Sequence, residues 1–158
     1  MSYYTRFLTL LLLCSFNISA DELTINLSGQ TKEGVLSLAI YDNAEAYNYS
    51  VKGEKRSEEG VFSGIETFIE LKESHEFAID LPEGVYAIAL FVDANKNLKI
   101  DKNFLGIPKE QFGFSNNAMG KLSAPSFEQA KFKVEGNTLQ NIKLKSVSYT
   151  HLTLPTKA

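Results

Sequence analysis

Apolar and polar side chains alternate with a period of two along most of this chain, the spacing that buries one face of a β-strand and exposes the other. Leu23, Ile25 and Leu27 alternate with Thr24, Asn26 and Ser28. Leu36, Leu38 and Ile40 follow, with Ser37 and Ala39 opposite, beyond a turn around Gly29 to Gly34, so the two runs read as a hairpin with one buried face. A weaker strand falls near residues 66–71. Over 75–81, Phe77, Ile79 and Leu81 share a face, and the turn through Pro82 and Gly84 leads into Tyr86, Ile88, Leu90 and Val92. The intervening Val85, Ala87, Ala89 and Phe91 are apolar too, which marks a central strand or a small-residue face covered by another element. Phe132 and Val134 alternate with lysines, and after Gly136 and Asn137 the run Leu139, Ile142 and Leu144 closes the pattern. About seven strands so spaced predict an all-β fold, an antiparallel β-sandwich of Ig-like or transthyretin-like order, with a closed barrel as the alternative.

Two segments break the alternation. Ala44 to Gly60 is polar, and Asn43 with Asp42 and Glu45 suits the start of one short helix in a long connection. Residues 103–128 form a longer connection carrying Phe104, Leu105, Ile107, Phe112, Phe114 and Phe127, too much apolar surface for a solvated loop, so the segment is expected to fold back over the sheet. Among its polar groups, Glu110, Ser115, Asn116 and Asn117 either line a small pocket, complete a cation site, or satisfy the backbone of a packed loop.

The most chemically specific stretch begins where the apolar strand stops. Asp93, Asn95, Asn97 and Asp101 stand at relative positions 1, 3, 5 and 9, the alternate spacing at which a tightly wound loop turns oxygen ligands inward toward a hard cation. Ca²⁺ is the expected ion, bracing the loop rather than performing chemistry. The match to an EF-hand is partial: position 6, where Gly makes the sharp turn, is Leu98, and position 12, where a bidentate Glu sits, is Phe104. The competing reading is an Asx-rich turn whose side chains cap their own backbone amides.

The two ends change the picture of the whole. Residues 1–20 carry Arg6, a short apolar run from Phe7 to Phe16, and Ile18 and Ala20 at the −3 and −1 positions of a cleavage site, the pattern of a secretory signal peptide. The single cysteine, Cys14, lies inside it, so a chain cleaved after Ala20 has no disulfide to rely on in a periplasmic or extracellular location. Residues 146–158 show no apolar alternation and are excluded from the domain, which spans 21–145, the usual size of one domain. Of 16 basic residues Arg6 and Lys157 fall outside that span, leaving 14 against 19 acidic ones and a net charge of −5. Such a surface, without a basic cluster clear of glutamates, excludes nucleic acid and an anionic membrane surface as partners.

The run LPEGVYAIALFVDANKNLKIDKNFLGIPKEQFGFSNNA, at 81–118, followed by APSFEQAKF, at 124–132, resembles the bacterial exported proteins grouped as domain of unknown function 2141. The resemblance rests on Pro82, Gly84 and Tyr86 in the strand, Asp93, Asn95, Asn97 and Asp101 in the loop, Gly106, Pro108 and Glu110 after it, Gly113 to Asn116, and the Phe127 to Ala130 segment. It implies an exported β-sandwich and carries no activity with it. Leu98 stands where that family's loop carries Gly.

Enzyme chemistry finds few candidates. His75 is the only histidine in the domain, flanked by Ser74 and Glu76 at the start of a strand, and Ser115 has no histidine near it in sequence. Zinc catalysis lacks nitrogen and sulfur ligands. Asp93 with Asp101, or either with Glu110, forms a carboxylate pair suited to glycoside hydrolysis if they stand about 5–9 Å apart. The expectation is therefore a monomeric exported module that binds an unknown envelope or extracellular ligand or serves structurally, with a Ca²⁺-stabilised loop. The alternative is a carboxylate-dependent hydrolase of cell-envelope glycans.

Overall fold

The computed structural model describes residues 21–52, 60–104, 108–120 and 123–146. The expected signal segment therefore lies outside the described residues, as does the expected tail apart from Ser146. Eight strands and two short helices follow one another as β1 (Asp21–Ser28), β2 (Gly34–Tyr41), α1 (Ala44–Lys52), β3 (Ser63–Ile69), β4 (Ser74–Leu81), β5 (Gly84–Asp93), β6 (Gln111–Phe114), α2 (Phe127–Ala130), β7 (Phe132–Val134) and β8 (Thr138–Lys143). A 3₁₀ turn, Ser115–Asn117, directly follows β6.

One sheet has the order β4-β1-β8 and the other β3-β2-β5-β6, with β7 also on β5. The all-β sandwich holds, but the expected β1–β2 hairpin does not form. β1 pairs with β4, Leu23 opposite Ile79, and in parallel with β8, Leu27 opposite Ile142, rather than with β2. Likewise β7 pairs with β5 and not with β8. In both cases the intervening turn carries the chain from one sheet to the other. The alternation of Leu23, Ile25 and Leu27 fixes the buried face, and that requirement is met equally by a partner in the same sheet or by facing β2 across the core.

That core lies between the sheets. Leu23, Ile25 and Leu27 of β1, Leu36, Leu38 and Ile40 of β2, Ile88, Leu90 and Val92 of β5 and Ile142 of β8 are all buried there. The opposite face of β2 and β5 is small, with Ala39, Ala87 and Ala89, and carries a second core. Tyr47 of α1 and Phe127 and Ala130 of α2 cover it, with Tyr41, Phe112 and Phe114 alongside. Tyr47 meets Tyr41 and Phe127 edge-on at ring separations of 5.6 and 5.8 Å, a favoured aromatic geometry. The two-sided apolarity of β5 thus has a cause in the helices laid on it.

The start of α1 follows its sequence signal, since Asn43 Oδ1 accepts the amides of Glu45 and Ala46. The long connection does fold back as expected, through β6, the 3₁₀ turn and α2. Phe104 departs from that expectation: it is 93% exposed.

Candidate functional site

β5 ends on Asp93, whose carboxylate is buried at the top of the sheet. Its Oδ1 accepts the Lys96 amide and its Oδ2 the Leu98 amide, each at 2.6 Å. Both donors belong to residues in the left-handed region, Lys96 at φ 60° and Leu98 at φ 59°. That conformation costs a residue with a Cβ roughly 1–2 kcal/mol, and the two charge-assisted bonds to Asp93 offset it. Leu98 therefore adopts the backbone that an EF-hand loop assigns to glycine at the same relative position.

The alternate side chains converge as their spacing predicts. Asn95 Oδ1 accepts the Asn97 amide at 3.1 Å and Asn97 Oδ1 accepts the Lys99 amide at 2.9 Å, while the Nδ2 groups of both donate to Asp101 Oδ2 at 2.6 and 3.1 Å. Each Asn oxygen keeps a second lone pair. Beyond Asp101 the chain turns back, pairing Lys102 with Pro108 and bringing the Lys109 amide to Asp101 O at 2.7 Å.

This return delivers Glu110. Its Oε2 accepts the Asp101 amide at 3.1 Å, and its buried Oε1 has no hydrogen-bond partner. Burial pushes the Glu110 carboxyl up to about 7 against the lowering effect of the Asp101 amide, and the charges of Asp93 and Asp101 push the same way as burial. A proton on Glu110 can also be shared with the Asp93 carboxylate, which raises it further. With both groups ionised no proton is available between them, which leaves Oε1 bare. No three His, Cys, Asp or Glu side chains among the described residues already stand at metal-holding spacing. The oxygens at this site are mixed, carboxylate and amide, and are held by amide donors that a cation would compete with.

The other three polar residues of the expected pocket lie elsewhere. Ser115, fully buried, accepts the Ile88 amide at 2.9 Å and donates to Ala130 O at 2.6 Å, tying β5 to α2. Asn116 Nδ2 donates to the carbonyls of Ala130 and Lys131, at 3.2 and 2.8 Å. Asn117 donates to Asn141 O and accepts the Lys143 amide, both on β8, at 2.8 and 2.7 Å. The structure thus separates Glu110, on the loop, from Ser115, Asn116 and Asn117, which bind backbone on neighbouring elements. Two glutamines that sequence reasoning passed over do similar work. Gln111 takes the Thr31 and Lys32 amides on Oε1 and gives Nε2 to Gly29 O, and Gln140 Oε1 takes the Asn116 amide. Nothing in their sequence context distinguishes them from surface glutamines.

His75 bonds Gln30 and the Glu70 carbonyl through Nε2 at the start of β4, far in sequence from the acidic loop. No helix among the described residues is long and apolar enough to cross a membrane. A family model described as an uncharacterized protein conserved in bacteria (DUF2141) matches residues 25–142. No curated protein and no solved structure matches the chain.

Proposed function

The chain belongs to the DUF2141 family of uncharacterized proteins conserved in bacteria, and for this member we propose an exported, monomeric β-sandwich module whose Asp93–Asp101 loop is braced by Ca²⁺. The observation that carries the reading is the conformation of the loop. Leu98 occupies the left-handed backbone that a cation loop requires at its sixth position, and the side chains of Asp93, Asn95, Asn97 and Asp101 gather around one another. The ion's role is structural, and the module presents its surface to an envelope or extracellular ligand from the periplasm or outside the cell. Secretion is supported by the residues 1–20 pattern.

A glycan hydrolase fits the geometry less well. Its two carboxylates must flank a sugar in an open cleft. Asp93 and Glu110 are 1% and 7% exposed, and their oxygens face amides and each other.

Thermal unfolding in Ca²⁺ tests the reading. Stabilisation by mass action reaches about 2.7 kcal/mol at a hundredfold excess over the dissociation constant, so the melting temperature should climb with Ca²⁺ concentration. Asp101→Asn should remove most of that climb. Asn43→Ala, which strips a helix cap remote from the loop, should lower the baseline and leave the climb intact. An unchanged wild-type melting curve in millimolar Ca²⁺ rejects the Ca²⁺ loop.

A further inference from the structure

A contiguous cation loop would take its strongest ligand from position 12, which here is Phe104, a side chain with no oxygen and 93% exposed. The chain reverses beyond it, and the residue brought back against the loop is Glu110. Its side chain is more than nine-tenths buried, one oxygen is held by the Asp101 amide, and the other, Oε1, has no donor. A buried carboxylate oxygen left unpaired has lost its hydration with nothing in return, so such a group calls for an explanation. The charges of Asp93 and Asp101 oppose its ionisation, so only a proton shared with Asp93 or a bound cation can satisfy that oxygen.

We infer that Glu110 is the closing ligand of the Asp93–Asp101 cation site, supplying from the returning chain the carboxylate that an EF-hand carries at position 12. This rests on the Ca²⁺ reading of the loop. The oxygens of Asp93, Asn95, Asn97 and Asp101, the backbone carbonyl at position 7, and two from a bidentate Glu110 fall within the six to eight that Ca²⁺ takes, and exceed what Mg²⁺ accepts from protein alone. The three carboxylates do not stand at metal-holding spacing without the ion, so binding would have to draw them together, and the site they would form is anionic, which suits a hard cation and no anion. Bound there, the ion ties the end of β5 to the start of β6. Gln111 beside Glu110 already holds the turn between β1 and β2 through the Thr31, Lys32 and Gly29 backbone. One cation would therefore clasp the β5–β6 connection and, through Gln111, the β1–β2 turn at the same end of the sandwich.

Calorimetric titration of the full chain with CaCl₂, after treatment with chelator, decides the matter. Wild type should bind one Ca²⁺, and Glu110→Gln should weaken it by roughly tenfold or more, the cost of disturbing a ligand set. Lys109→Ala, an exposed neighbour on the same return, should bind as wild type does. Because Gln keeps an acceptor for the Asp101 amide and offers a donor toward Asp93, Glu110→Gln should melt no lower than wild type in chelator, which separates a lost ligand from a lost fold. Should it melt lower, Glu110→Asp, which keeps the charge but falls short of the ion, must still lose affinity. Wild-type binding with unchanged affinity in both variants overturns the assignment of Glu110 and leaves the four-residue loop site standing. No binding by wild type overturns both.

Discussion

At the scale of single residues, Glu110 makes the stability of the metal-free protein depend on pH. Its folded-state value of about 7 lies above the ordinary 4.5, so between those limits the folded protein holds a proton that the unfolded chain has released. The stabilisation is complete below about 4.5 and disappears as the pH rises through about 7. Allowing for solvent relaxation, its size is on the order of 1–2 kcal/mol. Urea unfolding in chelator at pH 5 and pH 8 should therefore find Glu110→Gln gaining on wild type by that amount at the higher pH. A difference between the two proteins that is equal at both pH values would show that Glu110 is not the titrating group.

At the scale of elements, β6 is the strand that sequence pattern did not announce. Four residues long and interrupted by Gly113, it offers one period of alternation, Phe112 and Phe114, against ten residues in β5. Its glycine has a packing cause. A Cβ on Gly113 would lie 2.7 Å from Ile142 Cγ2 and 3.3 Å from Leu90 Cδ1, so β6 crosses the core edge where there is room only for a hydrogen. Gly113→Ala should cost about 1–3 kcal/mol by overpacking, measured by chemical denaturation, and truncating Ile142 to Val in the same chain should recover little because Cγ2 remains. A neutral Gly113→Ala would mean that β6 can move away from β8. The strands that were most plainly legible are those whose apolar face repeats three times or more, Leu23 to Leu27, Leu36 to Ile40, Phe77 to Leu81 and Tyr86 to Val92, while β3, β7 and β8 were read from weaker or shorter patterns. Their partners were not, because Gly29 to Glu33 reads as a hairpin turn and serves, like the turn at Pro82 and Glu83, as a passage between sheets. Asp93, Asn95, Asn97 and Asp101 were legible together because one short loop supplies all four. Glu110 was legible both as a pocket residue with Ser115 to Asn117 and as a carboxylate partner of Asp93 or Asp101, and the reversal at Lys102 and Pro108 brings it beside the loop, apart from the other three.

At the scale of the whole molecule, the sandwich is closed on one side and open on the other. Phe112 and Lys145 exchange both backbone hydrogen bonds, at 3.0 and 2.8 Å, joining the β6 edge to the chain just beyond β8. Asn117 occupies the backbone of β8 from the same side. The opposite edges, β3 and β4, carry Glu66, Glu76 and Asp80 on exposed positions, charges of the kind that discourage edge-to-edge pairing of strands. The closed side depends on the last described residues. β8 is the parallel partner of β1, the strand nearest the other end of the domain, so the fold is completed by its most distant pairing in sequence. Ile142 and Leu144 are buried in the main core, and the bridge at Lys145 follows immediately. Among the described residues, burial beyond β8 ends with Leu144 and pairing with Lys145. A chain ending at Ser146 should therefore match the full chain within about 0.5 kcal/mol in urea unfolding. One ending at Gln140 loses two core side chains of the size that cost about 2–5 kcal/mol each even when only truncated to Ala, along with the sheet closure, and should not fold. Cooperative unfolding of the shorter chain would mean that the β4-β1 pair and the larger sheet make a stable core without their parallel third strand.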